Sequence, residues 1–140
     1  MDIGNRCIAL AISRGTILHS EEFDFIDHGK LFIVLGENEE EMVGFFFINS
    51  KISQYISRNP QFFAMQMSIK RSDYPDILIY DSFVGCHALT SIPKNELAIQ
   101  INTGKTQIKG CLNERDINMM LDAVRNSDLF TEQEKNTFFK

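Results

Sequence analysis

The stretch "KLFIVLGENEEEMVGFFFI", residues 30 to 48, sets the architecture. Two apolar runs rich in β-branched and aromatic residues are parted by a glycine and a block of acids. That pattern reads as neighbouring antiparallel strands joined by a solvated tip. Phe45, Phe46 and Phe47 are consecutive. Successive strand residues point to opposite faces, so both faces of this strand should be covered. In a chain of 140 residues the second cover is expected from a partner subunit, which makes a homodimer the expected state.

On either side of this hairpin, "RGTILH" (14 to 19), "FFAMQMSI" (62 to 69), "ILIY" with "SFVGCHAL" (77 to 89) and "LAIQI" (97 to 101) read as further short strands, six or so in all. Turn-prone stretches such as "DHG", "RSDYPD" and "NTGK" separate them. "SKISQYISRNP", residues 50 to 60, has Ile52, Tyr55 and Ile56 at helical spacing and reads as a short inserted helix stopped by Pro60. The tail changes period. Asn113 is placed to cap a helix whose stripe is Ile117, Met120, Leu121 and Val124, and "TEQE" at 131 to 134 is a capping-box pattern before Phe138 and Phe139. The fold class is therefore mainly β, an SH3-like barrel or a small β-sandwich. It forms a single domain, residues 1 to 140, with a short inserted helix and a C-terminal helical segment over 113 to 140.

Charge and cysteines bound the function. A formal net charge of −5 argues against a general nucleic-acid binder, while leaving room for a local basic groove. Cys7, Cys86 and Cys111 are widely spaced with no CxxC pair. They read as reduced thiols in a cytoplasmic protein, and neither a disulfide framework nor a zinc site is expected. No cofactor is implied. "CIALAI" near the N-terminus is too short for a signal peptide's apolar region, and no stretch approaches a membrane span.

One histidine stands out in an apolar setting. Period-2 counting puts His87 on a face with Phe83 and Leu89, opposite the small residues Ser82, Val84, Cys86 and Ala88. If the small face is core, His87 points outward; otherwise it is a hydrogen-bonded core histidine. His28 and Lys30 flank Gly29 in a turn, and Asn49-Ser50 closes a strand and can cap the short helix after it.

The order of "RGTIL" (14 to 18), "DHGK" before "LFIVL", "FFFINS" and "DSFVGCHALTSIPKNEL" resembles the MazF/PemK-like toxin family over roughly residues 12 to 98. The resemblance implies an SH3-like barrel, a dimer, an antitoxin protein as partner, and metal-independent cleavage of single-stranded RNA leaving a cyclic phosphate. Position by position, Lys30 stands where the family's strand-opening arginine lies. Asn49 stands at the threonine of I-T-S, Ser50 at its serine, His87 at an aspartate, and Gly85 where some members place an arginine. The implied catalytic set is His87 and His28 as acid and base with Lys30 stabilising phosphate. Asn49, Ser50 and Phe83 are the implied substrate-binding residues. Lysine lacks arginine's planar fork and Gly85 has no side chain. A non-catalytic barrel that binds protein is the alternative reading.

Overall fold

The computed structural model describes residues 12–21, 29–38 and 42–140. Among these residues seven antiparallel strands form one mainly β, barrel-like sheet. They are β1 (Thr16–Ser20), β2 (Lys30–Glu37), β3 (Met42–Asn49), β4 (Gln66–Ile69), β5 (Ser82–Gly85), β6 (Thr90–Pro93) and β7 (Thr106–Cys111). The order is β4-β5-β3-β2-β1-β7. β3 is the hub. One of its edges pairs with β2, while the other is shared, with Met42–Phe45 pairing β6 and Ile48–Asn49 pairing β5.

The two faces of the β2–β3 ribbon carry two separate cores. Ile33, Leu35, Phe46 and Ile48 lie on one face. The C-terminal helices α4 (Glu114–Arg125) and α5 (Glu132–Phe138) and the residue after them cover it with Met120, Leu121, Val124, Phe138 and Phe139. Phe32, Val34, Val43 and Phe45 lie on the other face, packed with Leu97 of α3 (Lys94–Asn102). Both faces of the phenylalanine strand are thus covered from within the chain. This removes the packing argument for a partner subunit on that face.

The tail forms as its caps dictate. The Asn113 side chain accepts from the Asp116 amide at 2.8 Å, and Thr131 and Glu134 make the reciprocal capping box at 3.0 and 2.9 Å. Phe138 fits because Gly36 and Gly44 lie under its ring, where any Cβ would crowd it. Gly15, at φ +97°, makes the tight entry into β1 that an L side chain would resist.

Several segments depart from the sequence reading. Residues 97 to 101 are helical, not a strand: Leu97 and Ile101 are one turn apart and pack together on the second core, leaving Ile99 exposed. A helix ends before Pro60, and Pro60 also starts a second one. The inserted segment is two single turns, α1 (Gln54–Ser57) and α2 (Pro60–Phe63), the second capped by Asn59 with proline at its first position. The strand expected over 62 to 69 therefore shortens to Gln66–Ile69. Of the run expected as β over 77 to 89 only Ser82–Gly85 is a strand: residues 77 to 80 form none, and Cys86 and His87 lie in a turn.

Candidate functional site

Lys30 opens β2 and lies beside Asn49, the last residue of β3. The Phe32↔Phe47 register continues outward to this pair, and the Lys30 ammonium donates to the Asn49 side-chain carbonyl. Partial burial of the ammonium lowers its pKa below the usual lysine value. On the far side of Asn49, β5 places Phe83 directly opposite. The sheet thus sets Lys30, Asn49 and Phe83 in one row across three strands, with Ser50 immediately beyond.

At this end of the sheet a cleft of about 590 Å³ opens. Its lining includes Lys30 and Ser50, together with His19, Lys109, Asp76 and Tyr80. Sequence reasoning does not single out His19. It comes from β1, paired with Leu31 of β2, and its imidazole packs where a side chain on Gly29 would otherwise lie. Its Nδ1 is 3.9 Å from a Glu21 carboxylate oxygen. Lys109 comes from β7, the strand on the other side of β1. His19 and Lys109 therefore share one concavity bordered by Lys30, whose ammonium turns to Asn49 on the other face of the sheet; a histidine beside a cation suits an anionic ligand. The available signal for His19 in the sequence was a polar residue at the end of a β run, which by itself carries no weight.

His87 lies elsewhere. Val84 and Cys86 are fully buried in the first core, so the small-residue face is the inner one and His87 turns outward. β5 runs away from the Lys30–Asn49 row, and His87 follows its far end. His87 is not among the residues lining the cleft. Its ring packs on Phe62 with centroids 5.2 Å apart. The Gln66 amide nitrogen lies 3.0 Å from the Phe62 carbonyl oxygen and 2.8 Å from His87 Nδ1. A carbonyl only accepts, so the amide nitrogen faces both groups and gives one hydrogen to each. Nδ1 is then an acceptor, and the neutral ring carries its proton on Nε2. Burial lowers the His87 pKa, in keeping with the neutral form.

Lys30, Asn49, Ser50 and Phe83 are thus brought together, and His87 is set apart from them. His28 and Cys7 lie outside the described residues. Among the described residues no group of three His, Cys, Asp or Glu side chains is placed to hold a metal ion. Nor is any helix there long and apolar enough to cross a membrane.

No family model matches the chain, and no curated protein matches it significantly. Among solved structures it is similar to the Mycobacterium tuberculosis toxin MazF-mt6. The match has 15% identity and a TM-score of 0.49, and it covers 81% of this chain and 94% of that one.

Proposed function

We propose that this chain is a MazF/PemK-like toxin-type protein that binds single-stranded RNA in the Lys30 cleft and cleaves it without a metal. On this reading it acts as a cytoplasmic homodimer restrained by an antitoxin protein. The family motifs in order along the sequence support the class. The observation that carries the site is the meeting of His19 and Lys109 in one concavity, bordered by Lys30, of a chain whose net charge is −5.

In the proposed reaction a base takes the 2′-hydroxyl proton and the 2′-oxygen attacks phosphorus. The bond to the 5′-oxygen breaks, the leaving oxygen receives a proton, and a cyclic phosphate remains. Lys109 faces the crowded phosphate in the cleft, and Lys30, held by Asn49 at the border, adds a second positive charge. Ser50 at the rim and Phe83 in the same row contact the nucleotide. The geometry favours His19 for proton transfer over His87, because His19 lines the cleft with Lys109 and His87 does not. His28, two residues before Lys30 in the sequence, is the second proton carrier in this scheme.

The test is cleavage of a long mixed-sequence RNA in excess chelator, with the ends mapped. His19→Ala and Lys30→Ala should each lower the rate by about a hundredfold or more, and His87→Ala far less. No cleavage by folded wild type would overturn the enzyme reading. It would favour a protein-binding barrel, a reading to which the Lys30–Asn49 and Gln66–His87 hydrogen bonds lend support because both polar groups already have partners in the chain.

A further inference from the structure

Acid and base are unevenly divided along this chain. None of the nineteen Asp and Glu residues falls between Met42 and Ser72, whereas Lys51, Arg58, Lys70 and Arg71 do. The middle of that carboxylate-free stretch is the α1–α2 insertion, and it displays aromatic rings. Tyr55 is 71% exposed and Phe63 51%. The Tyr55 ring meets Phe62 at 6.0 Å between centroids, and Phe62 meets His87 at 5.2 Å. These three rings form a continuous row running from solvent to the turn after β5. A concavity of about 700 Å³ beside Tyr55 is lined by Arg58 and by the amides Gln54, Asn59 and Gln61.

The row is built, not incidental. Asn59 caps α2 and starts it at Pro60, which fixes where Phe62 projects. The Gln66 amide ties the Phe62 carbonyl to His87 Nδ1, locking the second and third rings to each other. Flat rings in sequence, a guanidinium and side-chain amides beside them, and no nearby carboxylate in the sequence form the combination on which unpaired bases stack. Stacking is tolerant of sequence, cations follow the backbone, and amides reach base edges. A purely apolar partner would leave Arg58 and three amides to be desolvated without compensation.

We infer that the Tyr55–Phe62–His87 row, flanked by Arg58, is a stacking platform for the bases of single-stranded RNA, separate from the Lys30 cleft. The inference rests on the RNA reading above for its ligand class but not on cleavage. It gives His87 a role that its Nδ1 partner does not obstruct, since stacking uses the ring face.

The experiment uses the full chain and a fluorescein-labelled 2′-O-methyl oligonucleotide of mixed sequence. This probe has no free 2′-hydroxyl and cannot be cut by the proposed route. Anisotropy titrations over a range of salt compare wild type with Tyr55→Ala, Tyr55→Phe and Arg58→Ala. Tyr55→Ala should weaken binding about tenfold with an unchanged salt slope, and Tyr55→Phe should restore it. Arg58→Ala should weaken binding and make the dependence of log affinity on log salt shallower by about 0.7.

Equal affinity for all four proteins, or no binding by wild type, overturns the platform. So does a change of oligomeric state in Tyr55→Ala with RNA affinity kept, which would make the row a contact between copies of the chain. Cleavage of ordinary RNA, measured alongside, separates the two readings. Cutting with Tyr55-independent affinity retains the enzyme and removes the platform; Tyr55-dependent binding without cutting does the reverse.

Discussion

At the scale of single residues, His87 and Tyr74 show how burial sets the titration of hydrogen-bonded groups. His87 gives its Nδ1 lone pair to Gln66, and burial holds its folded pKa below the ordinary 6.5. Below pH 6.5 the unfolded chain takes up a proton that the folded ring resists. Stability should therefore be fully present above that pH and fall as pH drops through the folded value. Melting temperature measured from about pH 8 to about pH 5 should show this decline, and His87→Phe should flatten it.

Tyr74 shows the opposite sign. Its hydroxyl donates to buried Asp116 at 2.6 Å and accepts from the Asn113 amide at 3.0 Å, joining the Arg71–Asp73 turn to the start of α4. Burial, then the bond to Asp116, raises the Tyr74 pKa well above its ordinary 10.0. Stability is present below that ordinary value and lost above it, as the unfolded chain sheds a proton that the folded one keeps. Tyr74→Phe should cost about 1–3 kcal/mol at neutral pH by stranding Asp116. It should also abolish the Tyr74 share of the alkaline loss, read from urea unfolding at about pH 7 and about pH 10.5.

At the scale of elements, the C-terminal helix is a fitted plug. Phe139 is 1% exposed and stacks on Phe46 at 6.1 Å. Arg14 donates to the Phe138 carbonyl at 2.9 Å and to Leu35 of β2 at 2.7 Å, and Arg125 donates to the Phe139 carbonyl at 2.6 Å. Two guanidiniums thus satisfy carbonyls at the helix end that have no partner within the helix. The arginine of the "RG" opening serves this clamp. Phe139→Ala should destabilise by about 3–5 kcal/mol through lost burial and a cavity, and Thr131→Ala by about 1 kcal/mol through the cap. Chemical denaturation measures both.

Elements also show where sequence patterning stops. α4 was legible because its stripe spans several turns and its cap is explicit. "LAIQI" was not: five residues alternating apolar and small or polar fit a strand as well as a helix. The second core, which needed Leu97 and Ile101 on one face, distinguished them. Pro60 was ambiguous for a local reason, since proline both ends a helix before it and begins one after it.

At the scale of the whole molecule, the two cores settle how a short chain buries three consecutive phenylalanines. α3 takes one face of β3, and α4 and α5 take the other. A dimer, as proposed, must then use other surface, and among the described residues β4, β6 and β7 each pair along one edge only. Sedimentation at micromolar concentration should give twice the 16.1 kDa chain mass. A dimer that survives Phe47→Ser would confirm that the phenylalanine strand is not the interface, and a monomer at all concentrations would overturn the dimer.

Local patterning along the chain was enough to establish the central hairpin, the mainly β class, the C-terminal helices with their caps, and the outward direction of His87 once Val84 and Cys86 are taken as core. Periodicity and capping act over a few residues, so they can be read where they stand. Three-dimensional packing was needed to place Lys30 with Asn49, His19 with Lys109, and His87 with Phe62 and Gln66. Strand register and the crossing from β3 to β5 bring together side chains dozens of residues apart. No local pattern in the chain records which of those distant residues will become neighbours.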